Sequence, residues 1–341
     1  MSAFARPFAT ASGVGSWPGT VAREAAEVVV GELAGALAHI VELPPRGGRR
    51  HARPGWGAAG RRGHRHRAAR LPPGGPAGAV TRRAISLLDE DMDALEEAWE
   101  AAGLRNDGRV VKVQAPGPVT LAAEIELANG HRAITDPGAL RDLAASLGEG
   151  VAAHRARLSR RLETPVVVQF DEPSLPAALG GGLPGVTALS PVPPLDEALA
   201  RGLLDGCVHT VGGEVLLHCC GPDMPWNLLQ DSAFSAVSVD ASALGAADLD
   251  GMAAFVESGR AVALGVVAVG VPPRRPSAEQ VAGAVVAVTD RLGFTRSALR
   301  DRIGVTPACG LAGATPEWAR TAIGLARRAA ELFAEDPDAI E

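Results

Sequence analysis

Short apolar runs rich in Val, Ile and Leu alternate along this chain with Ala-rich stretches of helical period, and that alternation restricts the fold more than any other feature. Eight such runs are readable: Ala11 to Ser16, Ala38 to Leu43, Val110 to Gln114, Thr164 to Phe170, Glu214 to Leu217, Ala236 to Val239, Ala261 to Val267 and Ile303 to Thr306. Between them, Leu87 to Ala102 and Ser277 to Leu292 put apolar residues on one stripe and charged residues opposite, as amphipathic helices do. Repeated strand-then-helix units predict a parallel sheet, and eight of them predict a closed (β/α)8 TIM barrel in a single α/β domain spanning residues 1–341. A doubly wound open sheet is the alternative. It would carry a Gly-rich phosphate turn after its first strand, and Gly13-Val-Gly15-Ser16-Trp17-Pro18 does not continue as G-x-G-x-x-G.

Composition fits small-molecule chemistry. With 341 residues, 47% of them hydrophobic, the chain can bury a large core. A net charge of −6 gives no general attraction to nucleic acid or to an anionic membrane surface. No stretch approaches the ~20 uninterrupted apolar residues of a membrane span, and Met1 to Thr20 lacks the pattern of an export signal. Four cysteines, two of them adjacent, make a poor disulfide framework and a reasonable metal or core set in a reducing compartment. A cytoplasmic location is expected.

In this reading Ser16, Glu42, Thr120, Asp171, Glu172, His218, Cys220, Asp240 and Cys309 follow strands at their C-terminal ends, where barrel enzymes keep their active sites. Three of these carry metal-grade donors. Glu214-Val-Leu-Leu-His218-Cys219-Cys220 and Ile303-Gly-Val-Thr-Pro-Ala-Cys309-Gly310 lie about ninety positions apart, on two different strands. Two thiolates and an imidazole form a soft ligand set suited to Zn²⁺, with a fourth position for water or a substrate sulfur. A free thiol, with a pKa of about 8.5, is only slightly ionised at neutral pH, whereas a metal-bound thiol is deprotonated outright. Such a site suits alkyl transfer to sulfur better than water activation.

One segment breaks the pattern. Arg46 to Arg83 holds eleven Arg, no Asp or Glu, and many Gly, Pro and Ala. It reads as a disordered solvated insert rather than a nucleic-acid arm.

Taken in order, Gly13-Val-Gly-Ser16-Trp-Pro18, Gly117-Pro-Val-Thr120, Val168-Gln-Phe-Asp171-Glu-Pro173-Ser-Leu, His218-Cys-Cys220 and Thr306-Pro-Ala-Cys309-Gly310-Leu resemble the catalytic domain of the cobalamin-independent methionine synthase family, in its short single-barrel form. The resemblance implies a zinc-dependent methyltransferase that moves a methyl group from methyltetrahydrofolate or a methylated corrinoid to homocysteine, giving methionine. It implies His218, Cys220 and Cys309 as zinc ligands, with Asp240 standing where the family has a ligating Glu. It also implies that Asp171 holds the amino group of homocysteine and Ser16 helps to hold its carboxylate, with Glu42 and Thr120 beside the substrate. Cys219 would point away from the metal.

Two departures from the family pattern stand out. Full-length members carry an Asp-Ile-His run after the seventh strand, whose His protonates the departing folate nitrogen; here the stretch reads Gly265-Val-Val-Ala-Val-Gly270-Val-Pro272. General-acid help is worth about 10² to 10⁴ in rate, so a donor whose leaving group needs no proton is favoured. Related short proteins also read Gly-Ala-Asp-Met-Ile/Leu-Gly-Arg soon after the second strand. Arg49-Arg-His-Ala-Arg-Pro-Gly55, written in synonymous codons and read one base later, gives Ala-Asp-Met-Leu-Gly-Arg, so Arg46 to Arg83 also reads as an out-of-frame translation ending near Thr81.

Blander readings compete for individual residues. Cys207 and Cys219 read as small buried hydrophobes, Asp171-Glu172 as helix-capping acids at a strand end, Glu42 as an ion-pair partner, and His39, His131 and His154 as structural or surface residues. Two other functions remain open: a zinc hydrolase, which would want a His-x-His pair where Ser16-Trp-Pro stands, and a decayed, non-catalytic barrel that binds a ligand or partner.

Overall fold

The structure, a computed structural model, describes residues 7–44, 69–70, 79–187 and 189–340. Seven strands form one parallel sheet: Ala38–His39, Val111–Pro116, Val166–Asp171, Val215–Cys219, Ala236–Asp240, Ala261–Val267 and Ile303–Pro307. Their order in the sheet is their order in the chain, so each connection steps one place in the same direction. Parallel neighbours need a crossover, and the helices Ala79–Ala101, Pro137–Leu162, Glu197–Val211, Trp226–Gln230, Ala246–Glu257 and Ala278–Thr289 lie in the six connections. The result is an α/β sheet curled into a half-barrel of the TIM-barrel kind, with the helices on its outer face.

The expected first strand, Ala11 to Ser16, differs from a regular strand. It makes isolated parallel bridges instead, Ala11 to Val305 on one edge of the sheet and Ser12 to Leu37 and Ser16 to Glu42 on the other. Gly15 explains the interruption. It sits at φ +141°, and a Cβ there would meet the Gln114 side chain at 2.6 Å, so the chain bends around Gln114 rather than continuing a ladder. The second run is likewise short, a two-residue strand continued by the bridge at Glu42.

Two apolar clusters hold the sheet. The larger lies between sheet and helices and includes Trp99, Trp318, Phe170, Phe255 and Phe333. The smaller, Phe8, Leu37, Val167, Leu216, Ala236, Ala261 and Ala263, fills the inside of the curl at the strand starts. Alternation along each strand then turns the next residues of the inner face, Gln169, His218 and Ser238, toward the strand ends. An apolar floor therefore lies beneath a polar mouth.

The helix Ala79–Ala101 begins eight positions before the expected Leu87 start, and the other expected helix ends as the 3-10 turn Asp290–Leu292. Arg157 to Asp89 and Arg161 to Asp93, both 2.6 Å, tie Ala79–Ala101 to Pro137–Leu162. Pairs this exposed are worth at most about 1 kcal/mol each. Of the Arg-rich stretch, Ala69–Arg70 pairs with Ile125–Glu126 and residues 79–83 open a helix; the expected disordered or out-of-frame character of the remainder lies outside the described residues. No helix among the described residues is long and apolar enough to cross a membrane.

Candidate active site

Strand register brings the site together. Asp171 pairs with His218, and His218 pairs with Ser238, so three adjacent strands present one polar row at the same height. Cys220 follows the His218 strand and Cys309 follows Ile303–Pro307, and the curl closes the gap between them. Their sulfurs lie 2.9 Å apart. The donor atoms of His218, Cys220 and Cys309 all lie within 4.8 Å of one another.

These three residues fit a soft divalent metal. Nδ1 of His218 is 3.1 Å from the Ser238 hydroxyl, which fixes the ring, while Nε2 is buried without a hydrogen-bond partner among the described residues. A metal ligand of this kind normally has its second nitrogen held in this way. Cys309 has its pKa pushed down to about 4, first by the hydrogen bond from Cys220 and then by His218, whereas that of Cys220 is raised by the same contact. The two sulfurs are close enough to hydrogen-bond, and a cation would take the place of the proton between them.

Asp240 is not among the atoms of that group. Its Oδ1 accepts from the backbone N–H and hydroxyl of Ser242, at 2.8 and 2.7 Å, and caps the turn Ala241–Ala243. Cys219, on the opposite face of its strand, is fully buried, and burial pushes its pKa up to about 12. Cys207 shows the same rise, again from burial, with its thiol donating to the Ala144 carbonyl at 3.3 Å.

The two acids at the end of Val166–Asp171 part company. Asp171 faces inward, accepts from Gln169 Nε2 at 2.7 Å, and has its pKa pushed up to about 6 by burial, against the opposing pull of His218, Gln169 and Lys112. Glu172 faces the helix Pro118–Glu124 and accepts from the backbone N–H groups of Val119 (2.9 Å) and Thr120 (2.8 Å). The capping reading therefore holds for Glu172, whose pKa burial raises to about 7. Gly117 is required beside it, because a Cβ there would lie 2.2 Å from Glu172 Oε1.

Ser16 is buried at the mouth, its hydroxyl without a partner among the described residues, and its backbone holds Leu311 N at 2.9 Å just after Cys309. Glu42 lies next to it through the Ser16 bridge, half-buried, and its charge acts on Lys112. Thr120 is fully buried, and its hydroxyl accepts from Ser174 N at 3.1 Å, joining its helix to the turn after Asp171. His39 is structural, with Nδ1 2.9 Å from the Ile40 carbonyl and a pKa lowered to about 3 by burial and by Lys112.

The sequence reading missed Lys112, Gln114, Gln169 and Ser238. Their signal was present: Val-Lys112-Val-Gln114 and Val-Gln169-Phe-Asp171 alternate apolar and polar residues, which marks an inner face that is not a simple core.

A parallel half-barrel that gathers an imidazole, two thiols and a buried carboxylate at its strand ends is an α/β fold of the TIM-barrel kind with a candidate metal site. Residues 75–332 match the family described as cobalamin-independent synthase, catalytic domain, and the chain belongs to that family. Among solved structures it is similar to a B12-independent methionine synthase from Shewanella sp. W3-18-1, described as a complex with selenomethionine, at 15% identity and a TM-score of 0.50. That similarity covers 72% of this chain and 66% of the other, so this chain spans under two thirds of that protein, and the likeness bears on the fold. No curated protein matches by sequence.

Proposed function

We propose that this protein is a zinc-dependent methyltransferase that transfers a methyl group to the sulfur of homocysteine, giving methionine. The observation that carries the reading is the His218, Cys220 and Cys309 cluster in a chain of this family, with the unpartnered Nε2 of a ring whose other nitrogen is held by Ser238. Zinc held by these three side chains would supply the positive charge that keeps a substrate thiol deprotonated at neutral pH. The protein groups then have separate tasks. Asp171, buried beside His218, accepts the amino group of the amino acid, and the free hydroxyl of Ser16 donates to its carboxylate. Glu172 and Thr120 hold the adjoining helix and turn in place rather than touching the substrate. Asp240 is left as the cap of its turn, with three protein ligands for the metal.

The bridges of residues 11–16 to both edges of the sheet support reading that run as the eighth stave of a closed barrel. The methyl donor is a folate or a corrinoid, and Gly265 to Pro272 favours a leaving group that departs without a proton. Gly265 leaves no room for a side chain, since a Cβ there would lie 2.6 Å from the Ala308 backbone.

Elemental analysis of the purified chain tests the reading. About one zinc per chain, lost in Cys309→Ala, with methionine formed from homocysteine and either methylcobalamin or methyltetrahydrofolate, is the expected result. A metal-free wild type that forms no methionine with either donor would favour the decayed barrel.

A further inference from the structure

We infer that Lys112 is a positioning residue, acting through Gln169 to aim Asp171 at the amino group of the substrate. The inference rests on the amino-acid methyltransferase reading above. Lys112 lies in the middle of Val111–Pro116 and is only 2% exposed. Its ammonium donates to the Gly13 carbonyl and to Oε1 of Gln169, both uncharged oxygens. An ammonium can only donate, so it holds the Gln169 amide with its oxygen toward Lys112 and its nitrogen away. That nitrogen then donates to the Val14 carbonyl at 2.8 Å and to Asp171 Oδ1 at 2.7 Å.

The chain Lys112, Gln169, Asp171 thus fixes one carboxylate oxygen and leaves Oδ2 for a ligand. The same two side chains grip the carbonyls of Gly13 and Val14, just before Ser16, so both halves of the amino-acid site are set from one point. Without Lys112, Oε1 of Gln169 loses its buried donor, and only the Val14 carbonyl and Asp171 itself still hold the amide.

A buried ammonium is costly, and packing alone does not call for one here. The layer below, Leu37, Val167 and Leu216, is apolar, and an apolar side chain would serve as filler. Charged groups face Lys112 from several strands: Asp171 and Glu42 draw it toward its charged form, while His39 and His218 sense its charge. Burial works against them and lowers its pKa to about 7. The position is therefore held for its N–H donors, which serve two acceptors that an apolar side chain would leave bare.

Equilibrium binding to the zinc-loaded full chain tests this without a methyl donor. Methionine and 4-(methylthio)butanoate differ only in the α-amino group, so their affinity ratio reads the Asp171 contact. Lys112→Met and Gln169→Leu should each lower the preference for methionine about tenfold, with zinc content and affinity for the des-amino ligand unchanged. The double variant should be no worse than either single one, because both cut the same chain. Should Lys112→Met fail to fold, Gln169→Leu carries the same prediction. Equal weakening of both ligands would mark a merely structural role and overturn the inference, as would a preference kept by Lys112→Met. A wild type that binds neither ligand would instead overturn the methyltransferase reading, and this inference with it.

Discussion

Ser238 holds Nδ1 of His218 at 3.1 Å across two paired strands, and so decides which nitrogen of the ring faces the sulfurs of Cys220 and Cys309. Neither residue of this pair announces the other in sequence. The hydroxyl contributes orientation alone, and Ser238→Ala should weaken zinc binding about 10- to 100-fold while leaving the fold intact. Competition with a chelator measures it; an unchanged zinc affinity would remove Ser238 from the site.

The cysteines divide into two pairs by environment. In metal-free protein at pH 7, an alkylating reagent should modify Cys309 first, since the hydrogen bond from Cys220 favours its thiolate, while Cys207 and Cys219 should react only on unfolding. Mass spectrometry of the native and denatured protein reads the order. Early labelling of Cys219 would contradict its placement on the outer face of its strand.

Asp171→Asn removes the charge proposed to receive the substrate amino group. Loss of a hydrogen bond to a charged group is worth about 1.5–3 kcal/mol, so methionine affinity should fall about 10- to 150-fold with zinc retained. Calorimetric titration distinguishes this from a variant that has lost the metal.

Glu172 gives the protein a pH dependence of known sign. Burial raises its pKa from 4.5 to about 7, so the folded state holds this proton more tightly than the unfolded chain does. Below pH 4.5 both states are protonated and the effect vanishes; as pH climbs toward 7 the unfolded chain releases the proton first, and stability falls. Above pH 7 the opposing contribution is complete, on the order of 3 kcal/mol. Denaturant titrations at pH 5 and pH 8 should show a steeper loss for the wild type than for Glu172→Gln, which cannot ionise. Parallel pH profiles would contradict a buried, shifted Glu172.

Gly117→Ala tests the approach of that carboxylate to the helix Pro118–Glu124. A methyl group 2.2 Å from Oε1 cannot be accommodated without moving Glu172 off the Val119 and Thr120 amides. A loss of about 1–3 kcal/mol is expected from such overpacking. Thermal melting measures it, and a neutral result would show the turn to be loose.

Most of the architecture was legible in the chain. Periodicity changes between strands and helices are local properties, so runs such as Ala261 to Val267 and Ile303 to Thr306 could be read before any contact was known. The first run could not, because its interruption at Gly15 depends on Gln114, a residue far away in the chain. That His218, Cys220 and Cys309 come together was also legible, since soft donors placed just after strands are few in this chain. Lys112 is not legible in this way, because a single lysine between valines has the pattern of an exposed strand residue until the curl of the sheet turns it inward.

Element types, the parallel order of the later strands and the metal-grade donors at their ends can be read without coordinates, because propensity, periodicity and ligand chemistry are carried by neighbouring residues. It took the folded sheet to show that Asp171 turns inward while Glu172 caps a helix, that Asp240 accepts hydrogen bonds from Ser242, and that Lys112 lies beneath the site. Each of these depends on register between strands far apart in the chain, and register is set by packing of the whole sheet rather than by any local segment.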